Sequence, residues 1–383
     1  MHVLGFMTGT SLDAVDMAVL ETDGEAILGF GPAGEVKLDP QTRAVLEAAN
    51  DAAKSWAWDA APPEVFARAG RAVAVAHFDA FRQFWPAYEA TYPGLSLVGV
   101  HGQTVLHQPP NADRRIGRTV QLIDAAWLAQ QIGLPVAFDF RTADVAAGGQ
   151  GAPLAPIYHA ALVHWSKLEL PVAVLNLGGV GNVTLVGPDG ALQAFDTGPA
   201  NGMIDLCVQA RAGVRFDADG ALARAGRVDA TILSAYLAHP YFTAAWPKSL
   251  DRYDFSLDAV AALSLEDACA TLTAFAAQAV AMGLRAAVHP PLQLIICGGG
   301  RHNPVLLAQI QACVDIPVRT AEAVGWRGDA IEAEAFAYLA ARRLKGLPIS
   351  FPGTTGVPTP MTGGHLIEPQ AQYLTRTAQA QAK

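Results

Sequence analysis

The sequence predicts an α/β protein built from two related domains, and three observations carry that prediction. The first is a strand, polar turn and strand at the N-terminus: the apolar start His2-Val-Leu4, the stretch from Gly5 to Asp16, and the apolar run Met17-Ala-Val-Leu20. The second is a repeat. Val172 to Val186 again reads as strand, Gly-rich turn and strand, and both copies continue through Asp-Gly (Asp23-Gly24, Asp189-Gly190) into a third apolar segment. A repeated hairpin meander points to duplicated units. The third is size, because 383 residues with 51% hydrophobic content exceed what a single core usually accommodates.

Taken in order, strands run to about Leu38, a helix starts near Gln41, and a long amphipathic helix lies within Pro63 to Tyr92. Short strands follow at Leu97 to Val100 and Thr119 to Ile123, then a helix from Asp124 to Ile132 and a strand from Pro135 to Phe138. The charged stretch Asn111 to Arg118 reads as a solvated loop. With no low-complexity linker between the halves, the domain boundary is placed at Phe140, giving domains 1–140 and 141–351. In the second half, a strand Ala191 to Phe195 precedes Asp196, and Asn201 is expected to cap a helix Met203 to Ala212 that Gly213 ends. Ser264-Leu-Glu-Asp267 resembles a capping box before the uncharged run Ala268 to Leu284, which reads as a buried helix. After the apolar strand Leu292 to Cys297, Asn303-Pro304 is a helix start, with Asn at the cap and Pro at the first helical position.

The glycine-rich turns carry the chemistry. Glycines, two hydroxyls and two carboxylates between Gly9 and Asp16 let backbone N–H groups wrap an anion while an Asp faces a metal. Two such loops facing each other would hold one nucleotide triphosphate, whereas either copy alone is explained as an ordinary hairpin turn. In Cys297-Gly-Gly-Gly300 no side chain keeps a flat ring or phosphate from the backbone. A P-loop is excluded, since no G-x-x-x-x-G-K-[ST] occurs. Gly29-Phe-Gly-Pro-Ala-Gly34 matches a dinucleotide fingerprint literally, yet Pro32 sits inside it and no helical pattern follows, so it reads as a turn.

Composition narrows the partners. A net charge of −9 without a basic run argues against nucleic acid or an anionic membrane. With only six lysines, phosphates must be handled by backbone amides, Mg²⁺ and selected arginines. Cys207, Cys269, Cys297 and Cys313 form no C-x-x-C pair, so neither zinc nor a disulfide framework is suggested. The N-terminus lacks the pattern of a signal peptide, and a cytoplasmic location is expected.

Several motifs together resemble one family. Gly9-Thr-Ser-Leu-Asp-Ala-Val-Asp16, His101-Gly-Gln-Thr104, Asp139 to Leu154, Asn176-Leu-Gly-Gly179, Phe195-Asp-Thr-Gly-Pro199, Cys297-Gly-Gly-Gly300 and Asp329 to Phe336 look like the anhydro-N-acetylmuramic acid kinase family, in order along the chain. The resemblance implies an actin, hexokinase and Hsp70 type fold, with two α/β domains flanking an ATP cleft and the segment 352–383 returning to the first. It also implies hydrolytic opening of 1,6-anhydro-N-acetylmuramic acid with phosphorylation of O6 by ATP, in recycling of cell-wall peptidoglycan. A homodimer is the expected assembly.

Residue roles follow from that resemblance. ATP is assigned Gly9, Thr10, Ser11, Leu12, Asp13, Ala14, Val15 and Asp16 from the first loop, Gly178, Gly179 and Asn182 from the second, and Gly298, Gly299, Gly300 and Asn303 from the third. Asp13 is the choice for Mg²⁺, directly or through water, with Asp16 second; a turn carboxylate accepting backbone N–H bonds is the structural alternative. Opening an acetal bridge needs water deprived of a proton, and Asp196 matches the catalytic base. Glu332 matches a substrate-binding glutamate beside that base, although Asp329-Ala-Ile-Glu332 also has the spacing of a capping box. Arg141 and Asp144 follow a strand end, where a guanidinium can bind a lactyl carboxylate with two prongs, and His101, Gln103 and Thr104 form a polar turn for the sugar. Ala14 and Ala200 stand where the family usually has Gly. Two alternatives remain: a conventional sugar kinase of the same fold, and an ATP-driven conformational switch.

Overall fold

Residues 1–9, 12–110, 116–244, 248, 250 and 254–370 are described by a computed structural model. The chain divides into two compact units, Met1–Ala161 with Ala330 onward, and Leu162–Asp329. The divisions lie beyond the boundary placed at Phe140 and before the return placed at 352, so Arg141, Asp144 and Glu332 belong to the first unit.

The first unit contains β1 (His2–Thr8), β2 (Ala14–Thr22), β3 (Ile27–Lys37), β4 (Leu95–Val100), β5 (Gln103–Gln108), β6 (Arg118–Leu122) and β7 (Val136–Phe138). The second contains β8 (Val172–Leu177), β9 (Val180–Val186), β10 (Leu192–Pro199), β11 (Gln293–Cys297) and β12 (Val318–Thr320), after which β13 (His365–Ile367) pairs with β7. In the first sheet β2 is antiparallel to β1 and β3, while β4 runs parallel to both β1 and β7. In the second, β9 is antiparallel to β8 and β10, while β11 runs parallel to both β8 and β12. Strand for strand, the two orders are the same, β3-β2-β1-β4-β7 and β10-β9-β8-β11-β12. The duplicated meander expected from the sequence is therefore the scaffold of both units.

Local signals fixed many helix ends. Asp39 caps Pro40–Ser55, Asp124 caps Ala125–Ile132, Ser264 caps Leu265–Arg285, and Asn303 caps Pro304–Cys313, each accepting a backbone N–H within the first turn. The long amphipathic helix spans Glu64–Phe84. Leu265–Arg285 is long and apolar enough to cross a membrane, but 78% of its most apolar window is buried inside the protein, as expected of a core helix.

Three local readings are corrected. Gly29 to Gly34 is part of β3 rather than a turn, and Pro32 is tolerated because β3 is an edge strand. Gln103 and Thr104 open strand β5 instead of forming a turn, because β5 finds a partner in β6. Asn201 lies inside the helix Asn201–Ala212, and its amide donates to Leu177 O at 3.2 Å rather than capping.

Helix Ile331–Leu344 completes the first unit. It lies so close to β1 and β4 that a Cβ on Gly5 would fall 1.8 Å from Ala333 O, and one on Gly99 2.1 Å from Phe336 O. At its far end Arg342 donates to Gly24 O at 2.7 Å and Pro348 O at 2.6 Å, and Tyr338 Oη donates to Glu25 O at 2.8 Å. Replacing Gly99 by Ala forces the helix off the sheet and should lower stability by at least ~1–3 kcal/mol in urea denaturation. An unchanged midpoint would mean that this contact is not tight.

Candidate active site

In the first unit, the turn between β1 and β2 is closed by Leu12 N–H donating to Gly9 O at 3.2 Å. Thr10 and Ser11 lie outside the described residues. Leu12 adopts a left-handed φ of 54° and buries its side chain in a cluster with Leu46 and Val73, so only its backbone is presented to a ligand. Ala14, Val15 and Asp16 already belong to β2, and Val15 is a core residue. Asp13 pairs with Arg43 Nη2 at 2.7 Å, while Arg43 Nε donates to Leu12 O at 2.9 Å. Arg43, from helix Pro40–Ser55, thus clamps the end of the loop; sequence reasoning missed it, because nothing local distinguishes it from a solvated helix arginine.

Beyond β4, His101 is buried, and its Nε2 accepts from Arg141 Nε at 3.1 Å. Arg141 Nη1 also donates to Gly151 O at 2.8 Å. Burial lowers the Arg141 pKa to about 10, partly offset by the carboxylates of Glu332 and Asp144, so the guanidinium stays charged at neutral pH. Burial and the Arg141 cation hold His101 neutral, and the same two causes bring His107 to about 4. His101 Nδ1 and Gln103 Oε1 are buried without a hydrogen-bond partner among the described residues, polar atoms of a kind that folded proteins seldom leave unmatched.

Asp144 accepts Gly151 N–H at 2.6 Å on one oxygen and Thr355 Oγ1–H at 2.6 Å on the other. Both carboxylate oxygens thus tie the Arg141–Gly151 loop to the segment at Thr355, which is a supporting task. Thr104 Oγ1 accepts from Gln121 on the facing strand at 3.3 Å. Glu332 is exposed in the first turn of its helix, whose cap is Ala330 with no side-chain bond. The capping box does not form because Asp329 pairs instead with Arg301 at 2.7 Å.

In the second unit, the carbonyls of Gly178 and Gly179 accept N–H groups from Ala200, Asn201 and Gly202, docking the turn against a helix start. Asp196, half-buried on β10, accepts Asn182 Nδ2–H at 2.8 Å on one oxygen and Leu250 N–H at 2.8 Å on the other. Burial raises its pKa above the ordinary 3.8, against the lowering effect of these two donors. Tyr241 donates from its phenol to the Asp196 backbone carbonyl.

The three consecutive glycines serve different ends. Gly298 has φ +77°, and a Cβ there would strike Asn176 Oδ1 at 2.1 Å; one on Gly300 would meet Leu177 Cβ at 2.7 Å. Gly299 faces open space, and lines a cavity of about 510 Å³ with Gly300, Asn303, His302, Asn201, Ile204, Phe216 and Asp217. The Asn303 side-chain oxygen is taken by the cap bonds to Val305 and Leu306, both at 3.1 Å. Buried Arg301 holds the loop from behind, bonding Gly298 O at 3.0 Å and Glu322 at 2.8 Å.

Mg²⁺ asks for one or two carboxylates, water and the phosphates of its nucleotide. Asp13 at the turn and Asp16 on β2 are carboxylates of the kind this ion takes, with Arg43 paired to Asp13, while among the described residues no group of three or more His, Cys, Asp or Glu side chains is gathered as a metal site.

A family model described as anhydro-N-acetylmuramic acid kinase matches residues 1–369. The chain belongs to the anhydro-N-acetylmuramic acid kinase family. An anhydro-N-acetylmuramic acid kinase from Caulobacter vibrioides is 61% identical over 367 residues, covering 96% of this chain and 99% of the relative. The one from Phenylobacterium zucineum is 58% identical over 370 residues, covering 97% and 100%. Among solved structures, a ROK family glucokinase from Streptomyces griseus in complex with glucose and AMPPNP is similar with a TM-score of 0.40 and 14% identity, over 89% of this chain and 100% of that one.

The buried histidines of this kinase give its first unit a pH signature. His77, His107 and His159 are each brought from 6.5 to about 4 chiefly by burial, and His101 is likewise lowered well below its ordinary value. Each stays neutral when folded but takes up a proton when unfolded below 6.5, so its contribution is present above that pH and lost as pH falls toward about 4. Chemical denaturation between pH 7 and pH 4 should show stability dropping by up to ~1.4 kcal/mol per pH unit for each such histidine. A flat profile would contradict their neutrality in the folded state.

Proposed function

We propose that the protein opens 1,6-anhydro-N-acetylmuramic acid with water and phosphorylates O6 from ATP, giving N-acetylmuramic acid 6-phosphate and ADP. Family membership along nearly the whole chain supports the reaction, and the observation that carries its chemistry is the half-buried Asp196 carboxylate held by two uncharged donors.

Asp196 takes a proton from water as the water oxygen bonds to C1 and the C1–O6 bond breaks. O6 then accepts the γ-phosphoryl group, and ADP leaves with the oxygen that had bridged the β and γ phosphorus atoms. A carboxylate whose pKa burial has raised is the stronger base for this task. The first unit contributes Arg141 for the lactyl carboxylate, with His101, Gln103, Thr104 and Glu332 for the sugar, while Asp144 holds the Arg141 loop in shape.

For the nucleotide, the cavity beside Gly299 offers a backbone wall without side chains and the exposed Phe216 ring, a setting suited to a purine. The turn of Gly9 to Asp13 and the one at Gly178 and Gly179 are assigned to the phosphates, with Asp13 and Asp16 holding Mg²⁺ directly or through water. The ion would neutralise phosphate charge as it shifts toward ADP. The two units are read as the paired ATPase-like halves of the actin and hexokinase type, and we place the working enzyme in the cytoplasm as a homodimer.

Incubation with MgATP and the anhydrosugar in ¹⁸O-water should yield a phosphosugar labelled at C1. Asp196→Asn should lower turnover by roughly 10²–10⁴-fold while leaving ATP affinity nearly intact by calorimetry. A phosphosugar without label points to a conventional kinase, and a variant that keeps its rate removes Asp196 from the chemistry. Gly299→Leu, filling open space, should weaken ATP by at least about tenfold with little change in unfolding temperature of the ligand-free protein. Unaltered ATP affinity would put the nucleotide elsewhere.

A further inference from the structure

We propose that Asn182 is a positioning residue for the base, its side-chain amide fixing the orientation in which the Asp196 carboxylate meets water, and that it takes no part in holding ATP. The inference rests on the reading of Asp196 as the base.

Strand register brings the two side chains together. Asn176 on β8, Asn182 on β9 and Asp196 on β10 are consecutive register partners, so they form one row on one face of the sheet. Within that row, Asn182 Nδ2 donates to one Asp196 oxygen at 2.8 Å, while Leu250 N–H donates to the other at 2.8 Å. Two donors, one per oxygen, stop rotation of the carboxylate and leave each oxygen further lone-pair capacity to accept from water. Immediately beyond, the register shifts between Asp196 and Gly198, a bulge that ends regular pairing where the reacting group sits.

The charge environment explains why an amide suits this position. Among the described residues no cation pairs with Asp196: the nearby Lys248 ammonium lies 4.6 Å from the Tyr241 ring centroid and 5.9 Å from that of Phe195, and donates to Tyr241 O at 3.2 Å. Tyr241 itself donates to the backbone carbonyl of Asp196, and its phenol is kept protonated by burial and by the charges of Asp196 and Asp254. A guanidinium or ammonium in place of Asn182 would hold the carboxylate ionised but depress its basicity. An amide directs the oxygen and leaves the proton affinity raised by burial largely in place.

Asn182→Ala and the nearly isosteric Asn182→Asp test the proposal together, read by kcat against pH, calorimetric ATP affinity and unfolding temperature. Asn182→Ala should lower kcat on the order of 10–100-fold, with the ATP dissociation constant within about twofold of the parent. Asn182→Asp sets two carboxylates against each other, so the acid limb of the kcat profile should move to higher pH. A loss of ATP affinity matching the loss in kcat would make Asn182 a nucleotide ligand and overturn the proposal. A lowered unfolding temperature with unaltered kcat and pH profile would reduce it to a fold residue. If Asp196→Asn keeps its turnover, the reading of the base fails and this inference with it. If Asp196→Asn is inactive while both Asn182 variants behave as the parent, this inference alone fails.

Discussion

The close approach of helix Ile331–Leu344 to β1 and β4 is the contact on which the first unit depends. At Gly5 and Gly99 no side chain larger than hydrogen fits beneath the helix backbone. The chain leaves this unit after Ala161, builds another, and returns at Ala330, and this packing, with the β13–β7 pairing and the Asp144–Thr355 bond, makes the two pieces one body. Polar ties reinforce it: Tyr158 Oη donates to the buried Glu334 carboxylate at 2.6 Å, and Arg342 reaches Gly24. Because Glu332 begins the same helix, its position relative to Arg141 is set by the sheet rather than by a loop, and the carboxylate raises the Arg141 pKa against the pull of burial.

Register plays the corresponding part in the second unit. One residue before the Asn176, Asn182 and Asp196 row, counted along β8 and β10, lie Leu175 and Phe195, both paired with Val183 and all fully or nearly fully buried. A one-residue slip would bring the polar row into the core and the apolar row out. Burial of each large apolar side chain stabilises by ~1.5–3 kcal/mol, so the core enforces the alignment that lets Asn182 reach Asp196. The Asn182–Asp196 geometry is here a by-product of ordinary strand packing.

What the sequence made legible was mostly local or repeated. The meander could be read twice because alternation and Asp-Gly turns recur, and the caps Ser264 and Asn303 could be read because their bonds close within three residues. Asp196 was singled out by its motif alone, without the bonds to Asn182 and Leu250 that hold its carboxylate. The bonds made by Asp144, Arg43 and Asn182 were not legible, since each joins a partner distant in sequence: Thr355, Asp13 and Asp196. Asp329-Ala-Ile-Glu332 carried a valid capping signature, but a buried arginine beside Asp329 competes for the same carboxylate and wins it. Charge-assisted bonds to a desolvated guanidinium outweigh a single cap bond.

The two units manage charge in opposite ways, and both follow from burial. In the first, desolvation silences His101 and His107, leaving Arg141 as the cation of the cluster, with a neutral imidazole and a carbonyl as its direct partners. Neither of these hydrogen-bond partners carries a negative charge, and the compensation for desolvating the guanidinium comes from the fields of the Glu332 and Asp144 carboxylates. In the second, desolvation acts on an anion, and the partners are again uncharged, an amide and a peptide N–H. A cation left without full compensation attracts a carboxylate, whereas an anion left so holds a proton more strongly. The same physical term therefore lowers the proton affinity of a cation in one unit and raises that of an anion in the other, and in both the direct hydrogen-bond partners of the charged group are uncharged.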